Sequence, residues 1–459
     1  MTERTKYWTN HSVLALAGDS EPIEFIAKKA REVVLGAIQE GWRGPPFDPF
    51  ELAEYLKIPT VPREDLHDAR TVPVGSQSLR IEFNPNRPRG RMRFSVAHEV
   101  AHTLFSDCAV TIRNRVESGK CSEDDWQLEL LCNIAAAEFL MPVGSGIGLE
   151  HESVTIDNLL RLQKQYDVST EALSLRLVKI TEEPCSLFAA ARTADDEEVA
   201  IYRVDYSVDS RSFKFNVPRG LKIRGKTVLS ECTAVGFTAK GSERWVPSLP
   251  KIDVECVGIP PYPGHYFPRI IGIARSKSAE QPMPPQIKYL WGDAAEPRGT
   301  GRRIIAHIVN DKTPNWGAGF ALYLRKKMPF VQDEFREWVS VGRENLALGK
   351  IHQLMVSDDL SVVHMIAQHG YGPSRKPRIR YGVLQSCLDK LAEIASTQRA
   401  SVHMPRIGSG QAGGNWGIIR ELIDEALVRH GVEVTIYNLP TSEPLKEMQS
   451  LLDLGIGVQ

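Results

Sequence analysis

At 459 residues, with 42% apolar and 25% charged side chains and a formal net charge of -1, the chain has an ordinary globular composition and is too long for one core, so roughly two to four domains are expected. The near-neutral charge does not indicate direct nucleic-acid binding or attraction to an anionic membrane. The segment Met1–Asn10 lacks the apolar core of a signal peptide, no apolar run is long enough to span a bilayer, and seven cysteines without a Cys-x-x-Cys pair fit reduced thiols; a cytoplasmic location is expected.

Residues 20–40 open with a cap-like Ser20 and a Pro22, then space Ile23, Ile26, Ala27, Ala30, Val33, Val34, Ala37 and Ile38 as one helical face. Gly41–Pro46 breaks this helix, and Asp48-Pro49 caps a second one that runs to Leu56. Thr71–Asn84 reads as turns and short strands, with Leu79, Ile81 and Phe83 alternating against Arg80 and Glu82. Such a strand could pair with extended substrate backbone, although ordinary sheet pairing is the first expectation. Arg87, Arg89, Arg91 and Arg93 follow; they are expected on a solvated face, with an acidic partner surface as the lesser alternative.

Within the apolar helical run Phe94–Phe105 lies His98-Glu99-x-x-His102. His98 and His102 are four apart, so both imidazoles leave one face of the helix and can bind one metal ion, with Glu99 beside them to take a proton from a water there. A catalytic zinc usually needs a third protein ligand. The second apolar helix, Asp125 to Met141 before Pro142, offers Glu129 as the preferred candidate and Glu138 as its rival; Asn133, one turn after Glu129, could hydrogen-bond a ligand histidine. Two further helices, near Asp157–Tyr166 and Thr170–Ile180, close this part, the last with Ser169 or Thr170 as cap.

Phe47–Leu56, Asn84–Pro88, Arg91–Glu99, Glu129–Pro142 and Val168–Leu177 together resemble the ImmA/IrrE family of zinc metallopeptidases. The resemblance implies a mainly helical, zincin-like domain over 1–182, with zinc on His98, His102 and Glu129, or manganese in its place. It also implies a cytoplasmic protease that cleaves a helix-turn-helix (XRE-type) repressor in a stress, DNA-damage, mobile-element or phage-defence response. The family often has a second acidic residue two positions after the third ligand; Leu131 stands there in this chain.

From 183 to 275 the pattern changes to short alternating segments, at Val199–Tyr206, Ser212–Val217, Thr233–Phe237 and Val254–Ile259, between Gly-, Pro- and Ser-rich turns. A small antiparallel β module is expected, with His265 in a surface loop. Residues 276–286 are a linker by composition.

After the linker, strands expected at Ile287–Asp293, Arg303–Asn310, Ser361–Ala367, Ala400–Met404 and Val432–Tyr437 alternate with helices at Ala321–Lys327, Gly382–Ser396 and Trp416–His430, a pattern of α/β layers. Glycine-rich loops at Gly317-Ala318-Gly319 and Gly408-Ser409-Gly410 offer free backbone N–H groups to a diphosphate. Gly292-Asp293, His307–Asp311, Gly317–Ala321 and Met404–Trp416 resemble the macro domain, in the branch of the terminal ADP-ribose protein glycohydrolase and the ADP-ribose 1″-phosphate phosphatases. The resemblance implies an α/β/α domain over 287–459 that binds ADP-ribose or an ADP-ribosylated macromolecule. Asp293 would meet the adenine amino group, Gly317, Ala318 and Gly319 the distal ribose, and Ile407, Gly408, Ser409 and Gly410 the diphosphate; Asn310 is counted among the binding residues, and Asn310, Asp311, Lys312 and His369 could support another hydrolysis, such as removal of a 1″-phosphate. Where the glycohydrolase has a nucleophilic lysine and an assisting aspartate, this chain aligns Gln368 and Ala412, which disfavours a lysine mechanism.

The expected whole is therefore a multidomain α+β and α/β protein: zinc endopeptidase, β module and macro domain, the last able to regulate the first. Two other readings stay open: the macro domain as the main enzyme, or a non-proteolytic, ADP-ribose-dependent interaction module. Oligomeric state is left open, homo-oligomers included.

Overall fold

A computed structural model describes residues 8–44, 46–74, 78–109, 124–145, 149, 152–193, 200–213, 217–245, 251–262, 266–276 and 286–438. The linker core 277–285, His265, the middle of the strand expected at 212–217 and the tail from 439 onward lie outside the described residues. The chain forms two compact units, Met1–Pro284 and Pro285–Gln459. No helix among the described residues is long and apolar enough to cross a membrane.

In the first unit, α1 (His11–Ala17), α2 (Pro22–Glu40), α3 (Pro49–Tyr55), α4 (Arg89–His102), α5 (Asp125–Leu140), α6 (Ile156–Tyr166) and α7 (Thr170–Ile180) accompany a small sheet of β1 (Thr60–Pro62), β2 (Ala69–Val74) and β3 (Ser78–Phe83). Helix α2 is capped by Glu21, whose carboxylate accepts from the N–H groups of Ile23 and Glu24, rather than by Ser20; the longer side chain reaches both orphan donors. Helix α5 is apolar on every side, buried throughout Gln127–Leu140, because α2, α4 and α7 all pack on it. Its Glu138 therefore sits deep in the core, bonded to Arg31 at 3.1 Å with Lys179 at 3.7 Å. That ion pair leaves Glu138 no part in a metal site.

The strand order β1-β3-β2 puts β3 in the middle of its sheet, with both backbone edges used, as the first expectation of ordinary sheet pairing has it; the outer strands are β1 and β2. Of the arginine series, Arg89 and Arg91 are exposed and Arg87 half-buried, as expected of a solvated face, while Arg93 is buried. Arg91 pairs with Asp68 at 2.6 Å, Arg87 lies 3.6 Å from the same carboxylate, Arg89 reaches Asp167 at 3.3 Å, and the buried Arg93 bonds Asp167 and the Phe47 carbonyl. The exposed guanidiniums are thus paired as well as solvated, and only Arg93 departs from the expectation.

The same unit continues into an antiparallel sheet of β4 (Ser186–Thr193), β5 (Ile201–Asp209), β6 (Lys222–Arg224), β7 (Thr238–Glu243), β8 (Ile252–Ile259) and β9 (Arg269–Ser276), ordered β6-β5-β4-β9-β8-β7. The central strands β4 and β9 are covered on both faces, so they read as continuous apolar runs and show no alternation. Gly272 of β9 stands opposite Phe188, where a Cβ would meet the ring at 2.2 Å. Helix α7 closes one face through Glu171, which accepts from Arg269 at 2.6 Å and from the Tyr206 hydroxyl at 2.9 Å. Thr233–Phe237 is a turn, not a strand: Gly236 takes φ +86 and the segment folds over the end of β8 through Gly236 N–H to Gly258 O at 2.8 Å. Ser212, Phe213 and Val217 likewise lie outside any strand.

The second unit is a mixed sheet ordered β10-β15-β14-β11-β13-β12, built from β10 (Lys288–Trp291), β11 (Arg303–Asn310), β12 (Ile351–Ser357), β13 (Leu360–Gln368), β14 (Ser401–Pro405) and β15 (Val434–Asn438). All neighbours are parallel except the β12–β13 pair. Ile305, Val309, Val362 and Ile366 share one core with α8 (Gly319–Lys327) and α9 (Pro329–Val341). Helices α10 (Tyr381–Gln398) and α11 (Trp416–Ala426) pack on each other, and α10 reaches β13. His307, His364 and His352 stand side by side on β11, β13 and β12, with ring centroids 4.8 and 5.5 Å apart; burial drives His307 down to about 3, so it is neutral.

Burial pushes the Glu138 carboxyl up, but Arg31, Lys179 and Arg176 overcome it and hold the group at about 2 against an ordinary 4.5. The unfolded chain therefore takes up this proton first as pH falls. The ionised pair contributes roughly 3 kcal/mol, complete above about pH 4.5 and lost as pH drops towards 2. Denaturant unfolding of the first unit's signal is expected to show that loss in wild type. Glu138→Gln should already be destabilised at pH 7 and respond less to the same acid interval; an unchanged acid slope would contradict the account.

Candidate metal centre and strand-end loops

Helix α4 starts after Pro88, and its buried face of Arg93, Val96, Ala97, Val100 and Ala101 presses it onto α5. That packing points His98 and His102 at the α5 residues one turn apart, Glu129 and Asn133. Glu129 Oε2 lies 3.0 Å from His98 Nε2 and 3.7 Å from His102 Nε2, and the two imidazole nitrogens are 3.2 Å apart. Ligand atoms about 2.0–2.1 Å from a tetrahedral zinc stand roughly 3.3 Å from one another, so the donor set fits such an ion. Asn133 Oδ1 accepts from His98 Nδ1 at 3.0 Å, which leaves Nε2 as the lone-pair nitrogen. Burial raises the Glu129 carboxyl, yet His102 and His98 hold it well below the usual range, so it is an anion in spite of being enclosed.

Glu99 belongs to the same turn of α4. Its Oε2 accepts a 2.7 Å hydrogen bond from the Thr71 hydroxyl of β2, which also reaches the Glu99 carbonyl at 3.3 Å. Thr71 is buried, and β2 is an outer strand of its sheet. Sequence reading passes over Thr71 because only the β2–β3 register brings it to α4. It also passes over Cys132, a buried thiol whose sulfur forms a His98–His102–Cys132 group with all ligand atoms within 4.8 Å. The signal for Cys132 was present in its place one turn beyond Glu129, on the face turned to α4.

In the second unit the loops that follow β11, β13 and β14 are neighbours, because these strands lie side by side and run parallel. Asn310, at the end of β11, uses Oδ1 to accept from the N–H groups of Lys312 and Thr313. Gly317 and Ala318 lead into α8, which Gly319 enters at φ +61. Ile407 is buried, Gly408 takes φ +73, Ser409 donates to the Arg406 carbonyl at 3.0 Å, and the Gly410 carbonyl receives the Gly413 N–H at 2.9 Å. Asp293, just after β10, accepts from the Tyr323 hydroxyl and from Lys327, both at 2.6 Å, which ties it to the helix Gly319 opens. Gln368 ends β13 and donates to the Gly370 carbonyl, while the Ala412 carbonyl receives the Arg378 and Ile379 N–H groups. The strand-end residues thus share one edge of the sheet.

Residues 53–178 match the family model Peptidase_M78, the IrrE N-terminal-like domain. Chromodomain-helicase-DNA-binding protein 1-like of Danio rerio is 32% identical over 162 residues, which cover 33% of this chain and 15% of that protein. A solved structure of a protein of unknown function from Bacteroides thetaiotaomicron is 41% identical and covers 33% of this chain and 97% of its own, with a TM-score of 0.32. For a macrodomain protein from Streptomyces coelicolor the identity is 36%, the coverage 33% and 99%, and the TM-score 0.30. The chain spans under a fifth of the length of its first curated relatives. It carries an IrrE-like peptidase domain and is similar over about a third of its length to macrodomain proteins.

Glu129→Ala is expected to abolish tight zinc uptake, Asn133→Ala to weaken it about 10- to 100-fold, and Cys132→Ala to leave it near wild type. Competition with a chromogenic chelator measures all three. Loss of zinc in Cys132→Ala with retention in Glu129→Ala would reverse the ligand assignment.

Proposed function

We propose that this chain is a zinc-dependent endopeptidase fused to an ADP-ribose-binding macro domain. In this reading 1–182 is the peptidase, 183–275 a β module for docking or communication, 276–286 a linker and 287–459 the macro domain. The observation that carries the first half is the meeting of His98, His102 and Glu129 atoms at 3.0–3.7 Å, with Glu99 one residue from a ligand. A zinc ion held there would supply Lewis-acid activation of a water and of the scissile carbonyl. Glu99 would take the proton from the attacking water and return it to the leaving amine, with Thr71 keeping its carboxylate in place. Asn133 would fix the His98 tautomer. Histidine and carboxylate donors suit zinc, and manganese is the alternative.

The substrate we infer, by family resemblance, is a helix-turn-helix repressor in the cytoplasm, whose cleavage would switch on a stress or phage-defence response. For the second half, Asp293, Asn310, Gly317–Gly319 and Ile407–Gly410 are the residues we assign to ADP-ribose, supported by their shared place at the carboxyl ends of parallel strands, where α/β sheets bind ligands. If ADP-ribose or an ADP-ribosylated partner favours one protease state, it would shift proteolysis by that difference in affinity. An intact Glu99 beside the ligand pair argues against a purely non-proteolytic module.

Sequencing the new protein N-termini in cells that express wild type or Glu99→Gln tests the protease. New termini in a helix-turn-helix protein are expected with wild type alone, while the purified variant keeps its zinc; identical sets of termini would refute the assignment. For the macro reading, calorimetric titration of ADP-ribose into the zinc-loaded full chain should give one binding site, weakened by Asp293→Ala. No heat of binding to the folded protein would remove the reader.

A further inference from the structure

Two buried thiols of the antiparallel sheet stand together. Cys232 ends the short 3-10 helix Val228–Glu231, Cys256 lies on β8, and their sulfurs are 3.4 Å apart in the same hydrophobic core. Each sulfur also has a carbonyl nearby, Cys256 O at 3.7 Å from Cys232 and Val228 O at 3.7 Å from Cys256. The hydrogen bond from Cys256 holds the Cys232 thiol below its ordinary value against burial, while the same contact, and then burial, push Cys256 up. The pair is therefore asymmetric: Cys232 is the sulfur that ionises and Cys256 the one that keeps its proton. Burial instead pushes Cys185 up to about 11 and Cys387 up to about 12, which makes both poor nucleophiles.

Little chain covers Cys232. Its neighbours Glu231 and Thr233 are exposed, as are Val235, Gly236 and Phe237 of the turn that follows. That turn lies against β8 only because Gly258 has no side chain; a Cβ there would meet the Ala234 carbonyl oxygen at 2.3 Å. Two peptide hydrogen bonds fasten it, Gly236 N–H to Gly258 O at 2.8 Å and Gly258 N–H to Phe237 O at 2.9 Å. A turn with exposed side chains and two such bonds opens locally at a small fraction of the global unfolding cost, and each opening admits a small solute to the Cys232 sulfur.

We propose that Cys232 and Cys256 are a peroxide-reactive dithiol whose oxidation to a disulfide locks the turn 233–237 and the edge strand β7 onto β8. The Cys232 thiolate attacks one oxygen of hydrogen peroxide, the O–O bond breaks, and the second oxygen leaves with the electron pair and picks up the proton that Cys232 released, as water. The sulfenic acid left on Cys232 is then attacked by the Cys256 sulfur. The S–S bond forms as the S–O bond breaks, and the hydroxyl departs as water with the Cys256 proton. The two thiols lose two electrons and the peroxide gains them. For this the sulfurs close from 3.4 Å to the roughly 2.05 Å of an S–S bond. The new bond closes a loop that contains both the turn and β7, the last strand in the sheet order, and so restrains the opening that exposed Cys232.

The experiment treats the zinc-loaded full-length protein with graded hydrogen peroxide, blocks the remaining thiols by alkylation, and maps the unreduced digest by mass spectrometry. A Cys232–Cys256 cross-linked peptide is expected at doses that leave Cys185 and Cys387 alkylated, and dithiothreitol should remove it. Cys256→Ser should stop at a sulfenic acid on Cys232 that dimedone traps, whereas Cys232→Ser should leave Cys256 unoxidised at the same dose; circular dichroism confirms folding of both variants. Hydrogen exchange over residues 233–243 should slow on oxidation of wild type and not of either variant. Absence of the cross-linked peptide in wild type, oxidation of Cys185 or Cys387 ahead of the pair, or dimedone trapping on Cys256 in Cys232→Ser overturns the dithiol. Cross-linking with unchanged exchange overturns the lock.

Discussion

A helix buried on all sides can carry a carboxylate only where positive charge or a metal meets it, since an isolated buried charge costs far more than the few kcal/mol of net stability a domain has. Helix α5 carries two such groups, and the first unit is arranged around answering them. Glu138, near its C-terminal end, meets Arg31 of α2 and Lys179 of α7. Glu129, more than two turns earlier, meets His98 and His102 of α4. The first set closes the core. The second leaves two imidazole nitrogens and a carboxylate oxygen aimed at one point, an arrangement that protein partners alone satisfy poorly and a dication satisfies well.

The histidine pair and its glutamate were legible because four-residue spacing on a helix settles which side chains share a face, whatever surrounds them. Glu129 and Asn133 were legible for the same reason, being one turn apart on a run that Pro142 ends. Thr71 was not: its contact with Glu99 depends on how β2 registers against β3 and how that sheet meets α4. Of the arginines before α4 only the buried Arg93 departs from the expected solvated face, and the carboxylate partners of the series were not legible either. Asp68 and Asp167 are far from them in sequence, and only the fold shows them paired.

In the sheet region, periodicity failed where burial is two-sided. Strands β4 and β9 have no polar face to alternate against, while Thr233–Phe237 alternates without being a strand because Gly236 turns it over β8. In the second unit the strand-and-helix alternation was plain apart from α9 and β12, and the glycine loops marked the carboxyl ends of the strands. What the motifs could not place was how the polar residues around Gln368 and Ala412 meet one another. Asp311 and His369 were legible one by one as candidate groups of another hydrolysis, but not as a pair, because their hydrogen bond joins residues 58 apart just past the ends of β11 and β13.

The peptidase assignment stands on the identity of the third ligand, since a thiol at Cys132 in that position would describe a different centre from one with Glu129. X-ray absorption at the zinc edge of the loaded full-length protein reads the ligand atoms directly. The account predicts a shell of nitrogen and oxygen alone at about 2.0–2.1 Å, with imidazole scattering from two histidines. A sulfur shell at about 2.3 Å would contradict it.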